Sequence, residues 1–448
     1  MEILRHQGMY RGKNVLKISW ITNHKCIQFL NYGTDQNDLN TKVMANSSLL
    51  PDFKDKDNED VYVHTVILDS LDSDTVYYYE YGGDIFVSSV NHFRAPKQKR
   101  AEYKLLLVSN LDFSEESTIM IDTISKLVDK SPSLYDAFID LGSDVLIPQN
   151  SSAIQSYFDK LRKITSKIPY HGLNKANPMV KEYLGRQEKE NEIFYLQTDT
   201  SQIVFLDTDM VFEDTSIGIE ETEKATLDNT VEKFSGWRFL LSDRPLYCSG
   251  SDSRCKKYSE RMKSVYENVI INNHFSMVIS GGASQYERTH PVSNTKIDSL
   301  AKVSQLRNLK KPIYLTVNGP VKTKNADSNV WTAKSFPESS FGELTIYDES
   351  SFRYSQYDIQ GGVVDHFSVS SNVKITHRIL LWVIYGFITV SLILLLALFY
   401  NLEMFCSAKK HKTLHNDELS DEGTDEANST IQEDSEEYLD LPTINRKT

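Results

Sequence analysis

The chain has 448 residues, 40% of them hydrophobic and 25% charged, which is enough for two or three domains with cores of their own. The formal net charge is −13. From Thr413 to Thr448 there are eleven Asp and Glu against two Lys and Arg, so most of that charge sits in the tail. Neither part carries the basic footprint of a nucleic-acid binder, and that class is excluded.

Residues 13 to 95 read as short strands. KISWIT, KCIQFLNYG, VYVHTVIL, TVYYYEYG and FVSSVNHF are separated by polar turns containing Asp and Gly, the pattern of a small β-sandwich. APKQKRAEYK links this to a different texture. KLLLVSN, AFIDLG, SQIVFLDTD, WRFLLS, FSMVISG and PIYLTVNG are buried-strand candidates. EESTIMIDTISKLVDK, SSAIQSYFDKLRKI and SERMKSVYENVI are predicted helices between them. This alternation predicts a layered α/β domain over roughly 103 to 335. FGELTIYDESSFRYSQYDIQGGVVDHFSV then returns to hairpins.

Ile379 to Tyr400 has no charged residue and is long enough to cross a bilayer as a helix. Lys409, Lys410 and Lys412 follow it, against Lys374 and Arg378 before it. The positive-inside rule therefore leans towards a cytosolic C-terminus, with residues 1–378 in the lumen or outside, and the plasma membrane or the endolysosomal system is the expected location. The opening MEILRHQGMYRGKN has no apolar signal region. The expectation is that the first strand of the sandwich is truncated, the alternative being that the helix itself targets the chain. From Thr413 the sequence is polar, acidic and aperiodic, and is read as a disordered tail.

Cys248 and Cys255 bracket SGSDSR, a loop short enough to be closed by a disulfide, with two free thiols as the alternative. Cys406, just past the apolar run, is a palmitoylation candidate. Asn46 and Asn150 each begin an Asn-Ser-Ser sequon, relevant to a lumenal glycoprotein.

RPLYCS at Arg244 to Ser249, YERTHPV at Tyr286 to Val292, the closing YDIQGGVVDHF, and VILDSLDSDTVYYYEYG at the end of the sandwich together resemble the purple acid phosphatases, members of the calcineurin-like metallophosphoesterases. The resemblance runs from about Lys13 to Val369. It implies a fibronectin-III-like sandwich over 1–98 and a metallophosphatase-like domain over 99–370, with two packed β-sheets flanked by helices. A transmembrane helix over 379–400 and a cytosolic tail over 401–448 complete the reading.

The family holds two metal ions with seven side chains. Together these polarise a phosphate ester and acidify a bound water. At the matching positions this sequence departs loop after loop. The first Asp falls on Asn110, the bridging Asp on Ser143, and the Tyr three residues later on Leu146. The Asn and His of the next loop fall on Ala176 and Asn177. The His before Arg-Pro is Asp243. The two His of the last loop are Gly282 and Ser284. Tyr286, Glu287, Arg288 and Pro291, by contrast, are the packing and turn residues that shape that loop. Losing nearly all ligands removes the coordination that offsets dehydrating a metal ion. No Fe, Zn or Mn cofactor is therefore expected, and the chain reads as a pseudoenzyme.

Two counter-readings stand beside this. Asp112, Asp144, Asp207, Asp209 and Asp243 form a possible rearranged carboxylate cluster for Ca²⁺ or Mg²⁺, against their use as helix caps. His171, His274 and His290 share no ligand or nucleophile spacing. In the tail, Tyr438 and Leu441 form a Tyr-x-x-hydrophobic pattern resembling the sorting signals read by clathrin adaptors, next to Ser435 in an acidic stretch. The functional expectation is a single-pass membrane pseudophosphatase acting in binding, reception or cargo sorting, with an unknown lumenal or extracellular ligand and a possible dimer. The alternatives are an active phosphoesterase with a rearranged site and a structural surface-coat protein.

Overall fold

The computed structural model describes residues 16–417, apart from 96–101, 184–193, most of 209–235, and short gaps at 24, 56, 85, 132–133, 147–149, 174–176, 252, 299–303, 322, 324 and 372. The N-terminal strands are β1 (Leu16–Thr22), β2 (Phe29–Gly33), β3 (Thr41–Met44), β4 (Asn46–Lys54), β5 (Asp60–Leu68), β6 (Val76–Gly82) and β7 (Asn91–Arg94). They form two antiparallel sheets, β1-β5-β4 and β3-β2-β6-β7. Alternation places Ile18, Trp20, Leu30, Val66, Tyr79, Tyr81 and Phe93 between the sheets. The sequence reading missed β3 and β4. Both are mostly exposed, and β4 carries Pro51, so neither shows an apolar period.

The second domain runs through β8 (Tyr103–Val108), α1 (Glu115–Lys130), β9 (Ala137–Asp140), α2 (Ser151–Thr165), β10 (Tyr170–Gly172), α3 (Pro178–Tyr183), β11 (Phe194–Gln197), β12 (Ser201–Leu206) and β13 (Trp237–Ser242). It continues through α4 (Ser253–Asn272), β14 (Met277–Ser280), β15 (Tyr286–Thr289), β16 (Val292–Ser293), β17 (Lys296–Ile297), β18 (Gln305–Arg307) and β19 (Ile313–Thr316). It closes with β20 (Thr332–Phe336), β21 (Ser340–Asp348), β22 (Ser351–Asp358) and β23 (Val363–Ser370). Two seven-stranded sheets result, β10-β9-β8-β21-β22-β23-β18 and β11-β12-β13-β14-β19-β15-β20, with β16-β17 as a separate two-stranded pair.

The apolar runs expected of strands buried on both faces work as such. Leu105 and Leu107 point into the layer between the sheets, with Ile279, Phe239 and Phe367. Leu106 and Val108 point outward under α1 and α2, onto Met120, Ile124 and Ile154. On the second sheet, Val204, Leu240 and Val278 pack outward on Met262, Val265 and Ile270 of α4. The sandwich rests on the first helical layer, where Phe53 stacks on Tyr183 at 5.2 Å and Tyr183 on Phe158 at 5.3 Å.

Strand polarity defines two poles. The parallel strands β8, β9, β12, β13, β14 and β19 end at one pole, where β21 begins and Gly319 bridges Ser340. The chain leaves the domain at the other pole, where Ser370, the last residue of β23, pairs with Ser351, the first of β22. From Ile375 the chain forms a separate unit. Helix α5 (Val373–Asp417) contains a segment, Leu381–Met404, of mean hydropathy 2.5 that is long and apolar enough to cross a membrane.

Candidate functional site

The strand ends of the first pole bring the substituted positions together as a laced ring of loops. Asn110 follows β8 in a left-handed conformation, φ 53°. Its backbone N–H donates to Gly142 O at 2.8 Å. Its side-chain Nδ2 donates to Ala283 O at 3.2 Å and Asn318 O at 3.3 Å, so one amide joins three loops. Ser143 Oγ donates to Leu111 O at 2.5 Å, joining the loops after β8 and β9. Leu146 is buried in the core under α2, and its carbonyl accepts from Asn177 Nδ2 at 2.5 Å. Asn177 Oδ1 in turn accepts from Met179 N at 3.0 Å and caps α3. Ala176 lies outside the described residues.

Across the ring, Asp243 accepts from Thr208 N at 2.9 Å and Thr208 Oγ1 at 2.8 Å, and pairs with Arg244 at 2.8 Å. The Arg244 guanidinium lies over the rings of Phe212 and Tyr258 at 4.7 and 5.1 Å. Gly282 has φ 69°, and a Cβ there would lie 2.5 Å from Asp243 O. Only glycine fits that approach. Ser284 is half-buried, with its Oγ 3.5 Å from where a Cβ on Gly250 would stand.

Of the loop aspartates, Asp112 is committed to the start of α1. Asp112 Oδ1 accepts from Ser114 N at 2.9 Å, from Ser114 Oγ, and from Ser117 Oγ at 2.6 Å at the start of α1. Burial alone would raise this carboxyl. The serine hydrogen bonds and nearby Lys160 outweigh burial and hold it below the usual carboxylate range. Asp144 opens a single 3₁₀ turn, and Asp209 lies outside the described residues. His171 is buried on β10 beside Phe205, His274 is exposed after α4, and His290 is held below its ordinary pKa by burial and by Arg288. Among the described residues no group of three or more His, Cys, Asp or Glu is placed to hold a metal ion.

The frame of the last loop is buried. Tyr286, Glu287 and Arg288 are at most 2% exposed. Glu287 accepts from Ser249 N and Oγ, at 2.7 and 2.6 Å, and from Thr332 Oγ1 at 2.7 Å. Cys248 and Cys255 are disulfide-bonded, with Cα atoms 5.9 Å apart, and pack on Ala283. Cys255 already belongs to α4, which begins six residues before the predicted start at Ser259. Sequence reasoning missed Asp140. It is fully buried and accepts from Tyr157 OH at 2.7 Å and Tyr170 OH at 3.0 Å, pinning α2 and β10 beneath the loop after β9. Its place in an otherwise apolar strand, AFID, was the available signal.

This donor set does not fit a pair of Fe, Zn or Mn ions. The amide of Asn110 directs its N–H groups at carbonyls, Gly282 supplies no side chain, and Asp243 is paired with an arginine.

Residues 10–95 match the family described as purple acid phosphatase, N-terminal domain. The chain is 23% identical over 377 residues to a probable purple acid phosphatase 20 of Arabidopsis thaliana, covering 78% of this chain and 79% of that protein. The fold is similar to that of the purple acid phosphatase PPD1 from yellow lupin, Lupinus luteus. The TM-score is 0.67 at 15% identity, over 83% of this chain and 74% of that one. It is also similar to PhoD, with a TM-score of 0.54 at 10% identity over 82% and 90%. The likenesses to solved structures show a shared fold. More narrowly, the chain is purple acid phosphatase-like, with the family's N-terminal β-sandwich domain and α/β core.

Proposed function

We propose that this chain is a membrane-anchored, non-catalytic relative of the purple acid phosphatases that uses the loop pole for binding. The observation that carries the reading is the Asn110 amide. A metal centre needs an oxygen or nitrogen lone pair at this position, and this chain places two N–H donors there, each turned to a main-chain carbonyl. The loops that a metal pair would organise are held by hydrogen bonds instead, which favours a fixed surface over a reactive one. The deciding experiment is metal analysis of the purified chain beside a phosphate-monoester assay. Enzymes accelerate that hydrolysis by up to roughly 10²¹-fold, so residual catalysis would be conspicuous. The expected result is no stoichiometric Fe, Zn or Mn and no turnover above a mock preparation. Two bound metals per chain with turnover would establish the active-enzyme reading instead.

In the same reading, α5 crosses the membrane once, with the tail cytosolic and the folded domains lumenal or extracellular. The buried disulfide supports an oxidising compartment. Asn46 and Asn150 are exposed, and Asn150 caps α2 through its Oδ1, accepting from Ala153 N at 3.1 Å, which leaves Nδ2 for a glycan. Cys406 follows the apolar segment Leu381–Met404 in sequence and is the palmitoylation candidate of this reading. Tyr438 and Leu441 lie outside the described residues, and their sequence pattern suits a clathrin adaptor, which makes cargo sorting the preferred role over a static coat.

A further inference from the structure

One end of the β-sandwich, where β2 starts, β3 ends and β6 turns towards β7, carries an apolar patch. Ile27, Met44, Phe86 and Val87 are 69, 56, 50 and 41% exposed. Register holds them together. Met44 pairs with Phe29, Phe29 with Gly82, and Gly82 bridges Val87. Gly83 N donates to Phe86 O at 2.8 Å, and Ile27 O lies 2.6 Å from where a Cβ on Gly83 would stand. Large apolar side chains gathered in this way on a surface mark a contact. Cys26, next to Ile27, is an exposed thiol. Its Sγ accepts from Gln28 Nε2 at 2.8 Å, and Gln28 Oε1 accepts from Trp20 Nε1 at 2.9 Å, so a buried amide fixes the sulfur beside the patch. Lys25, Lys42 and Asp84, on the same three segments, are exposed.

We propose that this end of the sandwich is the contact between two copies of the chain, closed by a disulfide between their Cys26 sulfurs. The proposal rests on the reading that the folded domains lie in an oxidising compartment and that Leu381–Met404 spans the membrane. On the folded side the chain has three cysteines, and Cys248 is bonded to Cys255. Cys406 follows the apolar segment and belongs to the other side. A disulfide from Cys26 therefore reaches another molecule. A second copy suits the patch, because a two-fold axis through it sets each apolar side chain against the same surface. The same axis lets Asp84 of one copy meet Lys25 or Lys42 of the other. In the bond-forming step the two thiols give two protons and two electrons to a low-molecular-weight disulfide, which leaves as two thiols. Stable interfaces bury about 800 Å² per partner, more than so small a patch supplies, so the covalent bond holds the pair together.

The test uses the full chain in its native cell, with thiols blocked by N-ethylmaleimide before the membrane is dissolved. The expected result is a band of twice the chain's mass on a non-reducing gel, converted to the single chain by dithiothreitol, and a linked peptide joining two Cys26 residues. Cys26→Ser should abolish both. A Phe86→Asp/Val87→Asp chain, which keeps the thiol, should lower the linked fraction on the order of tenfold. Both of those side chains are exposed, and an unchanged melting temperature of the purified variant verifies its fold. Cys26 recovered alkylated while Cys248 is linked to Cys255 overturns the dimer alone. Alkylation of all three overturns the oxidising compartment together with it. A peptide of another protein on Cys26 overturns the second copy as the occupant. An unchanged linked fraction in the Phe86→Asp/Val87→Asp chain overturns the apolar contact.

Discussion

Arg288 and Asp365 form a buried two-point ion pair between the two sheets, Nε to Oδ2 at 2.8 Å and Nη2 to Oδ1 at 3.1 Å. Tyr286 OH also donates to Oδ2, at 2.7 Å. Arg288 stands on β15 and Asp365 on β23, so the Tyr-Glu-Arg sequence is a clamp across the core. Asp365→Ala leaves a guanidinium uncompensated in the interior and should cost about 3–5 kcal/mol. Replacing both partners by apolar residues should recover much of that. The denaturant midpoint of the purified chain reads both outcomes, and a small effect of Asp365→Ala would remove the clamp from the argument.

Installing the ligands of the phosphatase family should harm the fold. Asn110→Asp turns a carboxylate toward two carbonyl oxygens and removes both donors, a loss of about 1–3 kcal/mol. Gly282→His meets a main-chain oxygen at 2.5 Å with φ 69° and adds strain of its own. Thermal unfolding of each variant, together with an ester-hydrolysis assay, is the measurement. A variant as stable as the parent that also turned over substrate would contradict the proposed function.

The disulfide should be present in protein taken from its native cell. Peptide mapping under non-reducing conditions is expected to recover Cys248 linked to Cys255. Removing the bond should destabilise by about 2–3 kcal/mol on loop-closure entropy for so short a loop.

His64 gives the sandwich a pH dependence. It is fully buried between Thr22 Oγ1 and Ser47 Oγ, each at 2.7 Å, and burial pushes its pKa down to about 4. The unfolded chain therefore binds this proton more readily than the folded one. Stability is complete above the ordinary histidine range and falls as pH drops from about 6.5 toward 4, by up to ~3 kcal/mol. A melting temperature measured across that window should show the slope, and His64→Gln should flatten it while lowering the plateau.

The tail separates a sorting protein from a static coat. Tyr438→Ala should shift the protein toward the cell surface without changing the fold, and Tyr438→Phe should do less if the ring carries the recognition. Steady-state distribution of the tagged chain decides it, and no change would favour the coat reading.

Much of this was legible in the sequence because burial on two faces writes itself as apolar runs. KLLLV and FSMVIS needed no partner to be read as strands, and α1 was placed from its period and its acidic first turn. The substitutions at Asn110, Gly282 and Ser284 were equally plain. What replaced the ligands was not, because each new bond joins distant residues. Asn110 finds Ala283 across 173 positions, and Arg288 finds Asp365 across 77. Exposed strands such as β4 carry no apolar signal at all, since their register is set by the neighbour β5.

The path by which the chain leaves the domain also has a mechanical consequence. Strand β23 is flanked on one side by β22, with seven register pairs, and on the other by β18, with three. Tension applied to the end of β23 along its own axis would load both ladders in shear, many bonds at once, instead of peeling them singly. Asp365 passes part of the load through Arg288 to the second sheet. A domain strung in this way resists being drawn open by its last strand, and its loop pole keeps its shape while that strand is loaded.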